Sequence, residues 1–75
     1  MYIPLTLFWR ITMIGFVEWF EPKKGYGFIS TKQNTSSIFF HRIDFINLDN
    51  TKKGEQLHFE ITPGEKGLKA INIFK

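Results

Sequence analysis

The side chains of this chain best placed to do chemistry are rings. Two short strings lie close together, Lys24-Gly25-Tyr26-Gly27-Phe28-Ile29 and Ile38-Phe39-Phe40-His41. On extended strands alternate side chains share a face. Tyr26 and Phe28 therefore point one way, and Phe39 and His41 can point the same way from a neighbouring strand. Flat π faces gathered on the wet side of a sheet make poor core and a good stacking platform for unpaired bases. Gly25 and Gly27 read as keeping the strand surface clear, so that a base can approach the backbone. Lys24 offers a mobile charge to a phosphate.

Other chemistries find little support. Ser30, Ser36 and Ser37 lie in or beside a polar stretch without an elbow motif. There is no Walker loop and no carboxylate pair at useful spacing. A general base needs an activated partner, and no pattern supplies one for His41. His41 and His58 are too few for a histidine metal site, and the absence of cysteine excludes disulfides and thiolate sites. The expectation is a protein that is not an enzyme and uses no cofactor and no metal. Lack of cysteine also fits a reducing compartment.

Composition points the same way as the rings. Seventy-five residues make one small domain with little interior. Aromatics are 17% of the chain, nine of them Phe, so some must be exposed, and exposed rings usually serve recognition. A net charge of +3 permits phosphate binding without demanding it. The longest apolar stretch, Met1–Trp9, is broken by Pro4 and Thr6, followed by Arg10, and too short to span a membrane. It lacks the basic lead and small-residue cleavage site of a signal peptide. A cytoplasmic location is expected.

The elements that must position the rings are strands. Apolar positions alternate and turn residues interrupt them at short intervals, an all-β pattern. Strands are predicted at about Met13–Phe20, Tyr26–Thr31 and Ile38–His41, then from Gly54 through Leu57, Phe59 and Ile61, and at about Leu68–Phe74. Glu21–Gly25 forms a turn, 32–37 a polar loop, and Pro63-Gly64 a type II turn. One helical turn is predicted near Ile43–Ile46 within an irregular 42–53 stretch. The predicted core is Val17, Ile29, Ile38, Phe40, Leu57, Phe59, Ile61, Ile71 and Ile73, with His58 facing solvent. Strict alternation would put Trp19 inside with Val17, so a bulge near Glu18–Trp19 is required to turn Trp19 outward. Five short strands favour an all-β, five-stranded antiparallel barrel of OB type, which removes exposed edges. Residues 1–12 form an apolar extension with its own period-two pattern. It is either an added strand seeking a partner chain or an appendage to a domain at 13–75. If exposed, it favours self-association and a possible homodimer.

The first string matches the opening of the RNP1 pattern. An RRM would continue to an aromatic at Thr31 and carry its second motif on its first strand. Here the second string follows after one loop with no helix between. That order resembles the cold-shock domain, over about Gly15–Ile73. Gly15–Phe20 is similar to the family's first strand, Lys24–Ile29 to its RNP1 and Ile38–His41 to its RNP2. Gly54–Phe59 and Gly64–Ile73, with Lys66-Gly67 and Asn72, are similar to its last two strands. The resemblance implies a binder of single-stranded RNA or DNA, acting as a nucleic-acid chaperone or a regulator of gene expression. It implies stacking by Trp19, Phe20, Tyr26, Phe28, Phe39 and His41, charge from Lys24, and help from Lys66. Pyrimidine-rich strands are the natural ligands, since they unstack cheaply. Three positions depart from the family. Glu18 replaces a lysine, Ser37 an aspartate, and Arg42 a third aromatic after the histidine. Glu18 should repel phosphate. Arg42 could stand in for the ring, because a guanidinium stacks on bases and pairs with phosphate, and Phe45 is another candidate. The alternative is a protein-interaction module on the same barrel, using the aromatic face or the extension to dock or dimerise.

Overall fold

The computed structural model describes residues 11–32, 34–47, 50–65 and 67–75, with Asn34 and Thr35 described by backbone alone. Among the described residues there are five strands: β1 (Met13–Glu21), β2 (Tyr26–Thr31), β3 (Asn34–His41), β4 (Gln56–Gly64) and β5 (Gly67–Phe74). They close into a barrel in the order β1-β2-β3-β5-β4. The pairs β1·β2, β2·β3, β1·β4 and β4·β5 are antiparallel. The closing seam, β3 with β5, is parallel, with Phe39 opposite Lys69. The all-β OB-type barrel expected from the alternation is therefore present, with one parallel pair that hydrophobic period alone does not reveal. A 3-10 turn at Arg42–Asp44 follows β3, one residue ahead of the predicted helical turn.

The register shifts between Ile29 and Thr31 on β2 against β3, and bulges on β1 and β5 set which side chains face outward there. On β1, Val17 pairs with Ile29 while Trp19 pairs with Phe28, so Glu18 is the extra residue. Val17 is buried, and Glu18 and Trp19 are both exposed. This is the bulge that the sequence requires. On β5, His58 pairs with Phe74 but Glu60 pairs with Ile71, leaving one extra residue on the β5 side. Asn72 lies there at φ 50, in the left-handed region where Asn is tolerated better than most residues. Its side-chain amide donates to Glu60 Oε1 at 3.1 Å.

That second bulge corrects the predicted core. Alternation places Ile71 and Ile73 inward together; the structure buries Ala70 and Ile73 and leaves Ile71 half-buried. Ile61 is also half-buried, packed against the core from outside it. Met13 and Phe45 join the interior. Phe45 is held by a parallel bridge to Ile73. Phe40 and Phe59 are fully buried. Truncating either to Ala should cost about 3–5 kcal/mol, a large share of the stability of so small a domain.

Three further expectations change. Residues 34–37, predicted as loop, are strand, because β2 offers them a ladder despite their polar side chains. Pro63 and Gly64 do not form the turn: they continue β4 opposite Leu68 and Gly67, and the hairpin reverses after them. His58 does not simply face solvent; its ring is half-buried and stacked on Phe74, 4.9 Å between centroids.

Candidate nucleic-acid interface

Strand register assembles the site. Trp19, Phe28 and Phe39 occupy one rung across β1, β2 and β3, and Tyr26 sits opposite His41 on the next rung. Four rings close a circuit: Trp19 to Tyr26 at 5.4 Å, Tyr26 to Phe39 at 5.9 Å, Phe39 to Phe28 at 6.0 Å and Phe28 to Trp19 at 6.1 Å. Edge and tilted geometries within it fix each ring by its neighbours. Trp19 is 44% exposed and Phe39 37%, while Tyr26 and Phe28 are half-buried. The result is a preformed aromatic surface on the outside of the barrel.

Phe20 is not part of it. Alternation resumes after the bulge, so Phe20 turns to the opposite face and stacks on the buried Phe40 ring, 5.8 Å away and nearly parallel. Phe45 is buried and adds no ring to the surface. His41 borders the circuit as the register partner of Tyr26. Its Nδ1 accepts a hydrogen bond from the Ile43 N–H at 3.2 Å and so caps the 3-10 turn. In the neutral imidazole that leaves the ring proton on Nε2.

Arg42 is folded back onto the β1–β2 turn, where Nη1 donates to the Pro22 carbonyl at 3.2 Å. Its guanidinium fills the space beside Gly25, whose added Cβ would lie 3.1 Å from Nη2. Gly25 has φ 79, so the turn itself demands glycine. Gly27 is buried, and a methyl there would overlap the Trp19 carbonyl oxygen and meet the Phe40 ring at 2.9 Å. Both glycines therefore serve the barrel's close packing and turn rather than clearing a path for bases. Lys24 is exposed on the turn, two residues before Tyr26. Lys66 lies outside the described residues.

Sequence reasoning assigned Lys69 to general surface. It stands opposite Phe39 across the parallel seam, paired with Asp44 at 3.4 Å. Only knowledge of the β3–β5 pairing could have found it. Glu18 and Ser37 also reach the ring face. With Trp19 and Phe28 they line a shallow hollow of about 450 Å³, and the Ser37 hydroxyl donates to Glu18 Oε1 at 2.5 Å.

A five-stranded OB-type barrel with an outward aromatic sheet defines a class of small nucleic-acid-binding modules. The family model described as the 'Cold-shock' DNA-binding domain matches residues 13–75, and the chain belongs to that family. It is 41% identical over 63 residues to a cold shock-like protein of Thermotoga maritima, an alignment covering 81% of this chain and 94% of the relative. It is 36% identical over 64 residues to the major cold shock protein of Micrococcus luteus, covering 83% and 96%. Among solved structures, "drosophila Unr CSD456" superposes with a TM-score of 0.71 at 20% identity. That superposition covers 97% of this chain and 30% of the longer one, and it speaks to the fold alone.

Proposed function

We propose that this protein binds single-stranded RNA or DNA by stacking unpaired bases on the circuit of Trp19, Tyr26, Phe28 and Phe39. The observation that carries the reading is that circuit: four mutually braced rings on the outer surface of a barrel whose interior is already filled by others. Each stacked base contributes about 1–3 kcal/mol. His41 borders the strand's path and Lys24 meets phosphate. Binding stabilises the unpaired state by mass action, without nucleotide hydrolysis. This is the behaviour of a nucleic-acid chaperone or a cytoplasmic regulator of gene expression. Flexible, pyrimidine-rich strands suit it, since little base–base stacking is lost on binding.

The test is titration with oligo-dT followed by tryptophan fluorescence, in a Trp9→Phe background so that Trp19 alone reports. Saturable quenching is expected. No quenching, with no binding in a gel-shift assay, rejects the platform.

One observation favours a second reading, a protein-docking or self-associating module. Ile14, Phe16 and Phe74 are exposed on the outside of β1 and β5, with the His58 ring between Ile14 and Phe74 in register. A chain that sediments as a dimer and ignores oligonucleotide would favour that reading.

A further inference from the structure

The hollow beside the rings contains an acidic side chain, Glu18. Strict alternation could not put a carboxylate and an indole from adjacent residues on one surface; the β1 bulge does. Glu18 and Trp19 both face outward, and Phe28 and Ser37 complete the hollow. It is shallow and open to solvent, so a base entering it keeps one face exposed.

We infer that this hollow is a base-reading subsite selective for guanine. The inference rests on the stacking function proposed above. The base lies against the Trp19–Phe28 ring pair, whose planes are 30° apart, and presents its Watson–Crick edge to Glu18. Single strands are read on that edge once their bases are unstacked. An ionised carboxylate only accepts hydrogen bonds. Guanine presents two adjacent donors, N1–H and the N2 amino group, which match the two carboxylate oxygens. Cytosine and adenine each offer one amino donor next to an acceptor nitrogen. Thymine and uracil offer a single N3–H flanked by two carbonyl oxygens, which the carboxylate repels.

The hydrogen bond from Ser37 supports this role. It takes one acceptor site of Glu18 Oε1. A carboxylate has about four such sites, so the second site on Oε1 and both on Oε2 stay available. The bond also fixes the Glu18 rotamer before the ligand arrives, which lowers the ordering cost of binding. Ser37 is thus a positioning residue and Glu18 the reading one. A lysine at position 18, the residue that the family resemblance leads one to expect, carries donors only and could not make this selection.

The experiment uses the full chain and a short oligo-dT strand, then strands in which one dG is walked along its length. At one position dG should tighten binding by about fivefold to tenfold, the low end for a bidentate contact because the site is open to solvent. Inosine at that position, which lacks the N2 amino group, should lose most of the gain. Glu18→Gln should abolish the dG preference, and Ser37→Ala should reduce the dG-to-dT affinity ratio. Equal affinity for dT and dG at every position would overturn the proposal, as would a dG preference that survives Glu18→Gln. Failure of every strand to bind would instead bring down the stacking reading, and the subsite with it.

Discussion

Phe28 and Phe39 touch each other and each touches one further ring of the circuit, yet neither belongs to the buried core. Binding and stability should therefore separate cleanly at these positions. Phe28→Ala and Phe39→Ala are each expected to weaken oligo-dT binding by about 1–3 kcal/mol, the worth of one stacked base. The folded state should lose about 0.4–2 kcal/mol, two cross-strand ring contacts at about 0.2–1 kcal/mol each. Phe20→Ala should do the reverse: its ring stacks on Phe40 and packs on the core, so the melting temperature falls while affinity changes little. Fluorescence titration and thermal melts on the three variants check the contrast, and unchanged binding by both Phe28→Ala and Phe39→Ala would sink the platform. Tyr26, Phe28 and Phe39 were legible in the sequence because parity on neighbouring strands decides where they point. Phe20 was not, because its face depends on how the chain leaves the bulge. The resting place of Arg42 was not legible either: Gly25 leaves a gap, and only the folded turn shows the guanidinium filling it.

Irregularities in the strands determine what the strands present. The β1 bulge was readable because Val17 and Trp19, two apart, had to face opposite ways. The β5 bulge left no such mark: Ile71 and Ile73 look like ordinary alternation, and Asn72 between them looks like an outward polar residue. Its positive φ makes it testable. Asn72→Val places a β-branched side chain in the left-handed region, at a cost of about 1–2 kcal/mol, and also removes the hydrogen bond to Glu60. Asn72→Gly loses the same bond without the steric penalty. For a domain of this size each kcal/mol shifts the melting temperature by about 4–8 °C, so the Val variant should melt well below the Gly variant. Equal melting temperatures would mean that β5 can shed its bulge. The polar start of β3 and the burial of Phe45 were illegible for a shared reason, since each depends on a partner distant in sequence. Residues 34–37 become strand because β2 supplies the ladder, and Phe45 turns inward because Ile73 lies beside it.

Charge acts on the molecule as a whole, through its stability and through its reach for phosphate. Glu55 joins three parts of the fold. The Thr51 hydroxyl donates to it at 2.7 Å and Lys75 Nζ lies 3.1 Å away, while its carbonyl accepts the Val17 N–H just before the bulge. The Thr51 hydrogen bond, helped by Lys75 and opposed by partial desolvation, holds its carboxyl below the ordinary value of 4.5. A carboxyl lowered in the folded state binds fewer protons there than in the unfolded chain. Its stabilisation is therefore present above pH 4.5 and lost as the pH falls through the folded value. Glu55→Gln should flatten the acid limb of a plot of urea midpoint against pH, and an unchanged limb would place the acid sensitivity elsewhere. Among the described residues, two cations near the site are engaged: Lys69 with Asp44 and Arg42 with the Pro22 carbonyl. Lys24 stays exposed on the turn before Tyr26. Few phosphates can then be neutralised, and each contributes about −0.7 to the slope of log affinity against log salt for a single strand. One or two contacts predict a slope of about −0.7 to −1.4 for oligo-dT. Glu18→Lys removes a negative charge from the ring face and adds a positive one, so it should tighten binding at low salt and steepen the slope by about 0.7. Titrations at several salt concentrations measure both quantities. A wild-type slope steeper than about −3 would require more than about four phosphate contacts, and would shift the source of affinity from the rings to charge.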